Sequence, residues 1–357
     1  MKLEDIGYNT ELSKAFKALD LESAFPGRVI WQSAYSYRVQ CSEAEIAAEP
    51  TGKVKSAELP AVGDWVAVRQ PDAGGMGKIL AILPRKSVFS RNAAGRTVHE
   101  QVVAANIDEV LIITDLDQDF NLRRIERYIT LVYNSGAGPV VVLNKTDLAE
   151  DVEAVIAQTE TVSPGIPVYA VSAEKDLGID QLEKHLGPGK TLAFLGSSGV
   201  GKSTIINRLL GVDRLDVGEV READGKGRHT TTHRELVILP GGGAVIDTPG
   251  MREIQVWGNE DGLADAFPEI DELAAACRFR DCRHDSEVGC AVREALESGF
   301  LDDGRFESYV KLRAEFENLG RRRSQRARLE EKREGKRFSK MVREVNKYNP
   351  KRKSRDP

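Results

Sequence analysis

The chain has 357 residues, 41% hydrophobic and 30% charged, with a formal net charge of −5. That balance excludes a disordered or fibrous chain and supplies a substantial core spread over two or three domains. No stretch approaches the ~18 consecutive apolar residues that span a bilayer, Met1-Lys2-Leu3-Glu4-Asp5 holds no apolar signal core, and four cysteines are too few for a secreted disulfide scaffold. A cytoplasmic protein without a membrane partner is expected.

In chain order, Leu12, Phe16 and Leu19 stand at helical spacing in an amphipathic leading segment. The period then shortens: residues 28–32, 35–39, 64–69 and 78–83 read as strands, divided by Pro60, Gly63 and Asp72-Ala73-Gly74-Gly75. Short strands so closely spaced predict a small closed β-barrel over residues 1–95, of the oligonucleotide-binding (OB) kind or the SH3-like kind. From Asn106 the apolar runs 110–114, 139–143, 167–171, 192–195 and 244–246 alternate with helical patterns such as 122–133 and 151–159. Continuous apolar strands covered on both faces predict a doubly wound α/β domain over residues 96–257. Residues 258–320 read as helical around a cysteine cluster. From Arg321 to the end there are 16 Lys and Arg against 5 Asp and Glu, a local charge of +11, while the preceding 320 residues carry −16. A solvated terminus has this composition. A basic arm on an acidic body points more specifically to nucleic acid, because Lys and Arg release counterions condensed on phosphates.

Three loops of the α/β domain carry recognisable chemistry. Gly196-Ser197-Ser198-Gly199-Val200-Gly201-Lys202-Ser203 matches G-x-x-x-x-G-K-[ST] between an apolar strand and the helical run from Thr204. Its backbone N–H groups are expected to surround a β-phosphate, with Lys202 on the β- and γ-phosphates and Ser203 on Mg²⁺. Asn144-Lys145-Thr146-Asp147 follows the strand at 139–143. The Asp147 carboxylate can accept from the N1–H and exocyclic amine of guanine, which adenine lacks, so GTP rather than ATP is expected. Asn144 would orient the loop, the Lys145 stem would lie over the base, and the Ser172-Ala173 backbone would meet the guanine carbonyl. The base-reading motif precedes the phosphate loop, the reverse of ordinary GTPases, so one site built from both motifs requires a circularly permuted domain.

In Asp247-Thr248-Pro249-Gly250, Asp247 is expected to hold Mg²⁺ through water and the Gly250 N–H to sense the γ-phosphate. In Arg228-His229-Thr230-Thr231-Thr232-His233, Thr232 is the first choice for a switch ligand to Mg²⁺ and Thr231 the next. Met251 stands where Ras-like GTPases have a water-orienting glutamine, and a thioether cannot orient water. His229 is therefore the candidate catalytic residue beside Lys202 and Gly250; a solvated loop histidine is the plainer alternative. Cys277, Cys282, His284 and Cys290 make a Cys₃His set without a position for water, which predicts one structural Zn²⁺. Three reduced cysteines buried as small hydrophobes are the alternative, and Cys41 reads as an ordinary strand residue.

The permuted order, the barrel, Arg228-His229-Thr230-Thr231-Thr232 and the Cys-Cys-His-Cys cluster together resemble the ribosome small subunit-dependent GTPase A (RsgA) family, also called YjeQ or YloQ. The resemblance covers nearly the whole chain, the long basic tail after Gly320 being a departure. It implies an OB-fold, a permuted GTPase domain and a zinc domain. It also implies a monomer with GTP, GDP, the small ribosomal subunit and its rRNA as partners, hydrolysis stimulated by the subunit, and a role in its late maturation. The competing expectation is an RNA-binding protein that keeps GTP as a structural ligand.

Overall fold

The computed structural model describes residues 1–33, 36–70, 75–92, 100–117, 119–211, 234–247 and 261–321. Helix α1 (Thr10–Ala18) is capped by the Asn9 side chain, which accepts from the Leu12 N–H. Leu12 is buried on this helix, while Leu19 falls outside it and is exposed, so the leading amphipathic stripe is shorter than its spacing predicts.

Five strands then close a barrel: β1 (Phe25–Ser33), β2 (Ser36–Gln40), β3 (Glu45–Pro50), β4 (Trp65–Arg69) and β5 (Gly77–Ile82), in the order β1-β2-β3-β5-β4 with β4 returning to β1. A short helix α2 (Gly52–Ala57) links β3 to β4. Val29, Tyr37, Val39, Val66, Val68 and Ile79 fill the interior, as alternation along twisted strands requires. Cys41 is buried just beyond the end of β2. A hairpin β6 (Val88–Asn92) and β7 (Glu100–Ala105) leads out of the barrel.

The α/β part follows: β8 (Glu109–Asp115), α3 (Leu122–Ser135), β9 (Gly138–Asn144), α4 (Val152–Val162), β10 (Val168–Ala170), α5 (Asp180–Glu183), β11 (Thr191–Leu195), α6 (Lys202–Leu210), β12 (Arg234–Ile238) and β13 (Ala244–Asp247). The strand order is β10-β9-β8-β11-β13-β12, parallel except for the antiparallel β12. One face packs α3 and α4; the other packs α6. Strand β12 also pairs with β1, Trp31 opposite Glu235, so barrel and α/β domain share one continuous sheet. Arg28, 1% exposed, ties the same junction: Nε donates to the Gly63 carbonyl, Nη1 to that of Ile6 and Nη2 to that of Asn106. Burial pushes its guanidinium down to about 10, still charged at neutral pH.

Helices α7 (Asp261–Ala266), α8 (Pro268–Ala275), α9 (Ala291–Glu297) and the helical residues 303–321 form the C-terminal module. Phe267, Ile270, Leu301 and Phe316 share a core with Ile125, Ile129 and Val132, so the module sits on the α3 side of the sheet. Within that contact Arg305, 5% exposed, donates to Glu126 Oε1 (2.9 Å) and Glu269 Oε1 (2.7 Å) and lies 4.2 Å from the Phe267 ring centre. Arg127 forks onto Glu315 at 2.6 and 2.8 Å.

Removing the sole partner of a buried ion leaves its charge without compensation. Glu126 is fully buried but keeps a second cation, Arg123 Nη1 at 2.9 Å, so Arg305→Ala should destabilise the protein by about 1.5–3 kcal/mol, the worth of a charged hydrogen bond rather than of an orphaned charge. Urea unfolding of the variant measures this, and a loss below ~1 kcal/mol would show that the pair behaves as a surface bridge.

Candidate functional site

The chain leaves β8 in one direction, to β9 and β10, and returns to lay β11 on the other side of β8. In an open parallel sheet the crevice beyond the strand ends at such a reversal is where ligands bind. The loops after β9, β10 and β11 all open there.

After β11 the backbone turns through Gly196 (φ +150°) and Gly201 (φ +92°) into α6. A side chain at Gly196 would place its Cβ 2.2 Å from the Ile113 carbonyl oxygen, and one at Gly201 would come within 2.2 Å of Asn144 Nδ2. Both turns therefore require glycine. Val200 is buried, Ser198 and Gly199 are exposed, and Ser203 and Thr204 lie in the first turn of α6, whose free N–H groups and dipole favour an anion. Lys202 Nζ donates to the Gly196 carbonyl at 2.8 Å and also to that of Ser197.

Asn144 closes β9 and is 2% exposed. Its Nδ2 donates to the Val200 carbonyl at 2.8 Å, and its Oδ1 accepts from the Ala173 N–H at 3.0 Å. A single carboxamide thus joins the phosphate loop to the loop after β10. Lys145 turns left-handed (φ +62°), and the Thr146 N–H donates to the Val171 carbonyl at 3.2 Å, which starts the 3-10 turn Thr146–Leu148. Asp147 is exposed in that turn and accepts from Ser172 Oγ at 2.5 Å, a bond that holds its carboxyl below the usual range and keeps it ionised. The Ser172 and Ala173 N–H groups are both engaged within the protein, by the Leu177 carbonyl and by Asn144.

Asp247 ends β13, its backbone opposite Glu235. His229, Thr231, Thr232, Thr248, Pro249, Gly250 and Met251 lie outside the described residues.

A charged group not singled out from the sequence also borders the site. Lys145 Nζ meets Asp115 Oδ2 at 2.6 Å, Asp115 Oδ1 accepts from the Asp119 N–H at 2.9 Å, Asp119 pairs with Arg124, and Arg124 Nη1 donates to Ser197 Oγ at 2.9 Å. The signal was available: acidic residues of Asp115-Leu116-Asp117-Gln118-Asp119 at the carboxyl end of a parallel strand, then Arg124 in the first turn of α3.

In the C-terminal module the donor atoms of Cys277, Cys282, His284 and Cys290 all lie within 4.8 Å of one another. Cys277 Sγ is 3.9 Å from Cys290 Sγ and 3.7 Å from His284 Nδ1, and His284 Nδ1 is 3.4 Å from Cys290 Sγ. Tetrahedral Zn²⁺ bonds place sulfurs about 3.8 Å apart and nitrogen about 3.6 Å from sulfur, so this donor set fits that ion.

Comparison with known proteins converges on one group. The family described as RsgA GTPase matches residues 82–257. The small ribosomal subunit biogenesis GTPase RsgA of Opitutus terrae is 48% identical over 336 residues, covering 90% of this chain and 92% of its own. The protein of the same name from Syntrophotalea carbinolica is 43% identical, with coverages of 94% and 95%. Among solved structures, YjeQ from Thermotoga maritima superposes with a TM-score of 0.62 at 29% identity, over 82% of this chain and 98% of that one. YloQ, described as a circularly permuted GTPase, gives 0.61 at 26% identity over 84% and 96%.

Because Asn144 joins two loops, Asn144→Ala should weaken nucleotide binding by about 10- to 100-fold, the worth of two buried hydrogen bonds. Titration calorimetry with GDP tests this; affinity within about twofold of wild type would mean that the loops keep their places without the carboxamide.

Proposed function

The chain belongs to the RsgA GTPase family, and from that premise we propose that it hydrolyses GTP in biogenesis of the small ribosomal subunit, binding the subunit and its rRNA and leaving it when GTP is cleaved. The observation that carries this reading is the Asn144 carboxamide, which draws motifs in permuted order onto one crevice. On this reading Asn144, Lys145, Thr146 and Asp147 form the guanine site, Ser172 holding the Asp147 carboxylate and Ala173 anchoring Asn144, and Asp147 rejects adenine through polar atoms that would be left unpaired. Gly196, Ser197, Ser198, Gly199, Val200, Gly201, Lys202, Ser203 and Thr204 hold the phosphates. Lys202 exchanges its loop carbonyls for β- and γ-phosphate oxygens.

The hard oxygen donors of Ser203, Thr232 and Asp247 suit Mg²⁺, which when bound neutralises charge on the transferred phosphoryl group. The Gly250 N–H reads the γ-phosphate. With methionine at position 251, His229 positions the attacking water or takes its proton, and contact with the subunit brings it into place. Cys277, Cys282, His284 and Cys290 would hold Zn²⁺ as a structural ion that fixes the C-terminal module against rRNA, and the basic tail extends that contact.

Single-turnover GTP hydrolysis with and without purified small subunits separates this activity from a nucleotide kept as a structural ligand. Turnover should rise with small subunits and not with large ones; an unchanged rate would overturn the reading. His229→Ala should keep GTP and subunit binding but lose stimulated rate on the order of 10²–10⁴-fold, and a rate within about twofold of wild type would return His229 to the role of a loop residue.

Structural zinc contributes directly to the folding of small modules. Cys282→Ser should consequently lower the zinc content and abolish subunit binding while GTP binding survives. Full zinc occupancy by elemental analysis would count against this ligand set.

A further inference from the structure

The charged residues between β8 and α3 are not needed to explain either motif, yet they connect them. Asp115 and Asp119 have side chains only 7% and 14% exposed, while their partners Lys145 and Arg124 are 31% and 38% exposed, so the two pairs sit at the edge of the crevice, buried on the carboxylate side and partly screened on the other. One nitrogen, Arg124 Nη1, serves both the Asp119 carboxylate and the Ser197 hydroxyl. Ser197 is also the residue whose carbonyl holds the Lys202 ammonium. Asp119 is fixed in turn: its N–H donates to Asp115, and its carbonyl accepts from Thr114 Oγ1 at 3.0 Å. The path from Lys145 to Ser197 thus runs through Asp115, Asp119 and Arg124, independently of the Asn144 connection.

We propose that Arg124 is a positioning residue of the nucleotide site, which through Asp119 and Asp115 makes the phosphate loop and the base-reading Lys145 move as one unit. The inference rests on the reading of this crevice as a guanine-nucleotide site. Arg124 acts through Ser197, orienting its hydroxyl and holding the backbone from which Lys202 must be released when a phosphate enters. A charged donor is stronger than a neutral one, and its carboxylate partner fixes its direction. Because the same path ends on Lys145, loosening it on the phosphate side loosens the turn that presents Asp147 to the base.

The test is calorimetric titration of the full-length protein with GDP and with inosine diphosphate, which lacks the exocyclic amine that Asp147 reads. Arg124→Ala should weaken GDP binding by about 10- to 100-fold, the range for a charged hydrogen bond. Ser197→Ala, which removes only a hydroxyl and keeps the test alive if the arginine variant folds poorly, should weaken it in the same direction. The double variant should bind no more weakly than Arg124→Ala alone. The preference for GDP over inosine diphosphate should fall in Arg124→Ala, a change that local loosening of the phosphate loop would not produce. Wild-type GDP affinity in both single variants, losses that multiply in the double variant, or an unchanged base preference would overturn the inference. A wild-type protein that binds neither nucleotide would instead overturn the reading of the crevice itself.

Discussion

The site depends on the buried side chain of Asn144. Its loop precedes the phosphate loop in sequence and follows a different strand, so no local turn can bring the two together. A carboxamide that is 2% exposed must find partners inside the protein, because an unpaired buried amide costs several times what a bond to it contributes. The partners present are the Val200 carbonyl and the Ala173 N–H, each reached only when β9, β10 and β11 are in register. Gly201 is part of the same constraint, since any side chain there would occupy the space of the Asn144 amide. Sheet order, the glycine and the asparagine therefore form one requirement rather than three.

Around that point the fold distributes attachment widely. The barrel is joined to the α/β sheet through β1 and β12 and through Arg28, which gathers carbonyls from three segments. The C-terminal module is joined through α3, where Glu126 and Arg127 face Arg305 and Glu315. Arg124, on the same helix, touches the phosphate loop. Helix α3 is thus in contact with the crevice at its first turn and with the cysteine-bearing module further along.

The parts legible in the sequence were those with a strong local cause. Parallel strands covered on both faces are uninterrupted apolar runs, and the glycines and lysine of the phosphate loop have few other uses. Strand β12 was not legible, because Arg234-Glu235 opens it and its pairing with β1 is a long-range contact. The hairpin β6–β7 and strand β3 were hidden for a similar reason: Ser90-Arg91-Asn92 and Glu45-Ile46-Ala47-Ala48 lack a clear two-residue period. In the site, the hydrogen-bonding residues of Asn144-Lys145-Thr146-Asp147 were visible as a motif. Asp115, Asp119 and Arg124 were not, since a loop rich in charge looks the same whether it is solvated or turned inward. Their hydrogen-bond partners decide the matter, and those partners are brought together only in the assembled sheet.

The joint between β1 and β12 also bears on how the chain is made. The first half of β1 is satisfied locally, Phe25 to Arg28 pairing with β4, and β2 covers its other side. Trp31 and Gln32 have a second edge that waits for Glu235 and Arg234, about 200 residues later. At ribosomal rates of about 5–20 residues per second, that edge is open for roughly 10–40 s. During synthesis the far edge of β1 at Trp31 and Gln32 is therefore without its partner strand for that interval, and the joint between barrel and α/β sheet is among the last contacts the chain can make.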